Sequence, residues 1–146
     1  MAGEDAIRAS ILQEMFVATR RLRSVFDARV RQRGMTYSRA RLILHLVKMP
    51  RSTQAELADA LEVERPTMAR LIDGLEKCGL VAREAADEDR RVRRIALTDA
   101  AQEQVEDLMA MTRQLRLEAL DGVTSDDLAA TQRVLARITA NLSAAS

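Results

Sequence analysis

Between Thr53 and Thr98 the apolar period of the chain switches from helical to extended, and this switch constrains the fold more than any other feature. Thr53-Gln54-Ala55-Glu56 reads as a capping box, in which the Thr hydroxyl takes the Glu amide and the Glu carboxylate reaches back. A short helix follows to about Leu61, with Leu57, Ala58 and Leu61 inward. Glu62-Val63-Glu64 makes a turn, with Val63 filling its corner. Arg65-Pro66 opens a second helix, since proline is tolerated in a first turn, and Met68, Leu71, Ile72 and Leu75 form its buried face. Gly79 supplies a left-handed cap and Leu80 folds back on the last turn. Leu80 to Glu84 and Val92 to Leu97 then read as two strands, with Ile95 and Leu97 alternating with polar or small neighbours. The polar stretch Ala85–Arg91 joins them, and four arginines crowd the segment 90–94.

Helix, turn, helix and an arginine-tipped hairpin make the order of a winged helix-turn-helix. Such a unit needs one helix for a major groove and a cationic loop for the flanking groove. The expected class is mainly α with a small β-hairpin wing.

At 146 residues the chain is one domain's worth, with 47% apolar and 31% charged residues. Phe16, Phe26 and Tyr37 are its only aromatics, so the core must be aliphatic. Pro50 and Pro66 are the only prolines, which leaves long helices possible almost everywhere. A net charge of +1 says nothing about nucleic acid. Lys48 and Lys77 are the only lysines among 23 cations, a bias that a GC-rich genome would also produce; the clustering of four arginines at 90–94 carries the argument.

Several function classes are poorly provided for. Cys78 is the only cysteine, so no disulfide forms within the chain. His45 has no second His or Cys with which to share a metal, and no cofactor is expected. There is no Gly-rich phosphate loop and no nucleophile with a base, so an enzyme is not expected. No apolar run approaches the ~20 residues that span a bilayer, and Met1 to Ser10 has no apolar signal core. The expectation is a cytoplasmic protein without a membrane partner.

The flanks read as helices. Ile7, Ile11, Met15, Leu22, Phe26 and Val30 lie on one helical face over residues 5–33, and Gly34 stops that helix. Thr36 or Ser38 caps the next, over 37–49, with Leu42, Ile43, Leu46 and Val47 inward, and Pro50 ends it. Thr98 is expected to cap a long helix over 99–120, with Val105, Leu108, Thr112, Leu115 and Ala119 on its face. Gly122 breaks it, and Thr124-Ser125-Asp126-Asp127 caps a last helix. There Leu128, Thr131, Leu135, Ile138 and Leu142 alternate steps of three and four, as a coiled-coil seam does. Packing inside one subunit would use the same pattern. The favoured reading is a seam between two copies, because both chain ends present amphipathic helices with nothing else to cover them. Residues 1–35 and 99–146 are then the dimerisation helices around a DNA-binding lobe at 36–98.

The segments Thr53-Gln54-Ala55-Glu56-Leu57-Ala58, Val63-Glu64-Arg65-Pro66-Thr67-Met68-Ala69-Arg70-Leu71 and Leu75-Glu76-Lys77-Cys78-Gly79-Leu80-Val81 resemble MarR-family regulators. Asp89-Arg90-Arg91 through Ile95-Ala96-Leu97-Thr98 is similar to that family's wing signature. The resemblance runs from about Thr36 to Thr98, and the flanks agree in order and length. The Val-Glu-Arg-Pro-Thr segment looks closest to the SlyA branch. The resemblance implies a homodimer whose terminal helices interlock and hold two lobes against palindromic double-stranded DNA. It also implies a regulator, usually a repressor, released by a small, often aromatic, anion.

On the second helix, Arg65, Thr67, Ala69 and Arg70 do not face the core. An Arg can bind guanine bidentately and a Thr can meet thymine; the resemblance points to the same positions, with Pro66 close to the base edges. Arg70 could instead pair with Asp73 or Glu76, and Arg65 could be a solvated phosphate contact. Thr53 and Gln54 open the first helix, where free amides can hold a phosphate. At the wing, the resemblance makes Asp89 and Arg91 a pair that aims the Arg into a minor groove, whose narrow A·T-rich form attracts such a cation. Arg90, Arg93 and Arg94 read as phosphate contacts or solvated strand residues, one of them pairing with Asp87 or Glu88. Two departures stand out. Glu64 occupies an N-cap where Ser is more usual, and Cys78 stands where a basic residue is common.

An effector pocket is expected between the dimer helices and the lobe, lined by Met15, Arg20, Ser38, Arg41 and His45, with an Arg or His holding a carboxylate. Arg41 could equally bridge lobes, and His45 could be a satisfied helix histidine. Two rivals remain: a winged helix that binds protein, which would not need four arginines at its tip, and a redox-responsive regulator using Cys78. Peroxide-sensing relatives carry their Cys in the first helix, where this chain has none. Lys77 would lower the Cys78 pKa, but the helix C-terminus would raise it.

Overall fold

The uninterrupted N-terminal spacing forms a single helix, α1 (Ala2–Arg31). The computed structural model describes residues 2–145. Next comes α2 (Tyr37–Lys48), capped by the Thr36 hydroxyl, which accepts the Arg39 N–H. β1 (Ser52–Thr53) leads directly into α3 (Gln54–Leu61) and α4 (Arg65–Lys77). β2 (Val81–Ala85) and β3 (Arg93–Leu97) follow, then a 3-10 turn at Asp99–Ala101, α5 (Gln102–Ala119) and α6 (Ser125–Ala144). The chain divides into two units, residues 1–114 and 115–146.

In the first unit, one aliphatic core joins every element that bears the helix-turn-helix. Leu42, Ile43 and Leu46 of α2, Leu57 of α3, Met68, Ile72 and Leu75 of α4 and Ile95 of β3 are buried together, with Val30 of α1 and Leu108 and Met111 of α5. Val47 and Leu71, expected inside, are half-buried. Thr53 and Glu56 complete the capping box in both directions. Gly79 takes φ +74°, and the Leu80 N–H returns to the Leu75 carbonyl at 3.0 Å. That left-handed step turns the chain from α4 into β2. The turn between α3 and α4 uses Glu62 at φ +52°, a conformation that disfavours a side chain. Burying Leu61 while half-covering Val63 holds it there.

Four details differ from the reading of the sequence. The wing is a three-stranded antiparallel sheet of order β1-β3-β2, since Ser52 and Thr53 pair with Ile95 and Arg94. Two residues carry no periodicity, so β1 leaves no trace in the sequence. The connection between the wing strands is shifted by one residue, to 86–92, because Ala85 belongs to β2 and β3 begins at Arg93; Ala86 is buried with its N–H on the Val92 carbonyl. Thr98 does not cap α5: its hydroxyl donates to the Gly79 carbonyl, and the 3-10 turn intervenes. On α5, Met111 is buried beside Leu108, Thr112 is half-buried and Ala119 is exposed.

The second unit carries α6, whose Thr124 cap accepts the Asp127 N–H and donates to the Asp127 carboxylate. No residue of α6 is buried. Leu128, Leu135 and Leu142 stand exposed on it. In the first unit α1 likewise exposes Ile7, Ile11 and Phe16, the last by 78%.

Thr53→Ala removes the hydroxyl half of the capping box and leaves the residue-53 N–H to the Glu56 carboxylate. We expect it to lower unfolding free energy by ~1 kcal/mol, read as a shift of the urea midpoint at unchanged slope.

Candidate nucleic-acid interface

α4 is amphipathic by period. With Met68, Ile72 and Leu75 fixed in the core, the spacing of 3.6 turns Pro66, Thr67 and Arg70 to solvent on one side, while Arg65, seven residues before Ile72, is exposed because it opens the helix. The two acids that could have claimed Arg70 are engaged elsewhere. Arg83 of β2 bonds Asp73 at 2.6 Å and Glu76 at 2.9 Å, and its own N–H donates to Glu76 as well. Among the described residues, neither Arg65 nor Arg70 makes an ion pair. Glu64 is the N-cap of α4 without a side-chain capping bond. The first amides of α4 therefore receive no bond from the residue that ordinarily supplies one.

At the start of α3 the Thr53 N–H is occupied by the Glu56 carboxylate at 2.7 Å. The amides left for an anion there are those of Gln54 and Ala55, beside that acid.

Asp89 shapes the wing tip through the backbone. Its carboxylate accepts the Arg91 N–H at 2.9 Å, and its carbonyl accepts the Val92 N–H. The side-chain pair of Asp89 with Arg91 that the resemblance implied is not formed. Arg90, Arg91 and Arg93 are exposed and, among the described residues, without a carboxylate partner.

Arg94 is different. Its guanidinium bonds Glu88 through two nitrogens, donates to the Arg51 carbonyl at 3.0 Å and lies 3.8 Å from Glu56. The hydrogen bond from Arg94 is the main reason the Glu88 carboxyl sits below the usual carboxylate range. The same bond raises Arg94 above the usual guanidinium value. With the acid lowered, the pair is complete at neutral pH and is lost only as pH falls through the lowered Glu88 value. Arg51, at φ +59°, faces Glu84 at 3.7 Å and Asp87 at 3.3 Å. The sequence pairs one of Arg90, Arg93 and Arg94 with Asp87 or Glu88, and the structure makes the pair Arg94 with Glu88. The sequence has no signal for Arg51 or Glu56, which reach that pair only through the β1–β3 pairing.

Of the five effector candidates, Arg20 and Ser38 line one open groove of about 470 Å³, with Arg23, Asp27 and Tyr37. Arg23 lies over the Tyr37 ring at 4.6 Å and Arg41 at 5.5 Å, while Phe26 meets the ring edge-on. Arg41 also donates to the Leu61 carbonyl. Met15 and His45 are half-buried and are not part of this lining. Tyr37 and Arg23 were missed by the sequence reading, because cation–ring stacking depends on how α1 and α2 cross.

Cys78 is exposed at the C-cap of α4. Among the described residues, no cluster of His, Cys, Asp or Glu is arranged for a metal, and no helix is long and apolar enough to cross a membrane.

The family model for the MarR family matches residues 33–92, which hold both helices of the motif and the wing up to Val92. The crystal structure of transcriptional regulator PA3341 aligns over 92% of this chain and 97% of its own, at 39% identity and a TM-score of 0.82. Transcriptional regulator SlyA shares the fold at 22% identity and a TM-score of 0.77, with 91% and 94% of the two chains covered. MepR of S. aureus, solved as a DNA complex, does so at 20% identity and 0.76, over 91% and 95%. An α4 with a free cationic face, a three-stranded wing and a relative at this identity along nearly the whole chain agree: the chain belongs to the MarR family of DNA-binding transcriptional regulators.

Proposed function

We propose that the protein is a repressor that binds a palindromic operator as a homodimer and leaves it on binding a small aromatic anion. The observation that carries the DNA reading is the pair of unclaimed cationic surfaces: Arg65, Thr67 and Arg70 on α4, and Arg90, Arg91 and Arg93 on the wing. Arg65 and Arg70 read base edges beside Pro66, while the Gln54 amide and the wing cations other than Arg91 meet phosphate. Arg91 enters the flanking minor groove, with Asp89 shaping the turn that presents it. Thr53 acts there chiefly as the cap that orients the first amides of α3. MepR was solved on DNA, and the same use of the motif is proposed for this chain.

The dimer reading rests on exposed apolar side chains: Ile7, Phe16 and Leu22 on α1, and Leu135 and Leu142 on α6. Runs of that kind on a soluble chain mark association surfaces. Residues 1–35 and 99–146 supply it, and 36–98 supply the lobe that meets DNA. The effector reading rests on the groove of Arg20, Arg23, Tyr37 and Ser38. Its cations suit a carboxylate and its ring suits an aromatic body.

Fluorescence anisotropy against duplex DNA selected by the protein from a randomised pool, at two salt concentrations with random duplex as control, tests the central claim. Tight, salt-dependent, selective binding is the expected result; equal affinity for both duplexes defeats it. Arg70→Ala should relax base choice at one position of each half-site, by ~1–3 kcal/mol. Arg91→Ala should weaken binding mainly to sites with A·T-rich flanks, and equal affinity for such sites removes the wing from the account. Sedimentation velocity should give twice the 16.3 kDa chain mass.

A further inference from the structure

The wing carries three acids in a row, Asp87, Glu88 and Asp89, immediately before the arginines that are read as meeting DNA; Asp89 shapes the tip through the Arg91 N–H. On charge alone they oppose binding to phosphate. Their geometry supplies a reason for them. Glu88 holds Arg94 through two guanidinium nitrogens, and Asp87 holds Arg51 at 3.3 Å. Arg94 then reaches the Arg51 carbonyl at 3.0 Å and lies near Glu56, the residue whose carboxylate closes the cap of α3. One planar fork thus touches the wing tip, the turn before β1 and the first turn of α3. Only one quarter of the Arg94 side chain is exposed.

We propose that Arg94 is a positioning residue for DNA binding: with Glu88 and Arg51 it clasps the wing to the start of α3, fixing where the wing cations stand relative to the recognition helix. The inference rests on the reading that the wing meets DNA. A two-stranded hairpin is marginal alone, and β1 adds only Ser52 and Thr53 to it. The clasp supplies what that short edge lacks. Arg94 is therefore not one more phosphate contact, and the acids beside it are retained for geometry against their electrostatic cost. Lysine could not replace it, because a single ammonium lacks the fork that spans these acceptors.

Anisotropy with the duplex selected by the wild-type protein, carrying A·T-rich flanks, separates the possibilities for Glu88→Ala, Arg94→Lys and Arg91→Ala. Glu88→Ala removes a negative charge, so simple electrostatics predicts tighter binding; the clasp predicts binding about three- to tenfold weaker. Arg94→Lys keeps its charge and should weaken binding to a similar degree, and the double variant should be no weaker than the worse single one. Amide 15N relaxation at Arg90 and Arg91 should show faster motion in both single variants, at a melting temperature close to that of the wild type. Unchanged or tighter binding by Glu88→Ala overturns the proposal. So does wild-type binding by Arg94→Lys, the result of a plain charge contact, or an unaltered wing in the relaxation data. If Arg91→Ala binds like wild type while Glu88→Ala is weakened, the role of Arg91 fails and the clasp stands.

Discussion

Two backbone pairs, Ser52 with Ile95 and Thr53 with Arg94, tie the wing to the helix-turn-helix. The second pair places the cap of α3 opposite the strand that carries the wing's structural arginine. The start of α3 and the hairpin therefore share a strand edge. Ile95, fully buried from the same strand, anchors that edge in the core beneath α4. A displacement of β3 would move the wing and disturb the support of the recognition helix together.

Charge is divided by role across this surface. Arg83 and Arg94 are engaged by acids within the fold, the first by Asp73 and Glu76 and the second by Glu88. Arg65, Arg70, Arg90, Arg91 and Arg93 are left in solvent without such partners among the described residues. A net charge of +1 is compatible with a DNA-binding face because most acids are spent elsewhere: on arginines that hold the frame, along the outer sides of helices and at caps. The surface left over is cationic, and it is the part that a phosphate backbone would meet.

Legibility followed range. The capping box at Thr53 and Glu56, the left-handed step at Gly79 and the buried face of α4 depend on residues within a turn of one another, and each is written in the chain. The exposed sides of α4 followed from the same period. The partner of Arg70 was ambiguous because Asp73 sits three residues on, at helical spacing, with Glu76 three beyond that. Only the return of β2 brings Arg83 within 2.6 Å of Asp73 and settles which cation they hold. The effector groove was half legible for a similar reason. Arg20 and Ser38 came together, but Met15 and His45 did not, and the stacking of Arg23 and Arg41 on Tyr37 depends on the crossing of α1 and α2.

By itself, the sequence determined the order of helices and strands, their caps and their apolar faces, because period, capping and turn chemistry act over a few residues. It also determined which arginines lie at the wing. The tertiary structure decided which of those arginines are free. Arg93 and Arg94 are neighbours on β3 and chemically identical, yet Arg94 is enclosed by Glu88, the Arg51 carbonyl and Glu56 while Arg93 stands in solvent. That difference comes from strand register, which turns successive side chains to opposite faces and brings residues more than forty positions apart into hydrogen-bonding distance.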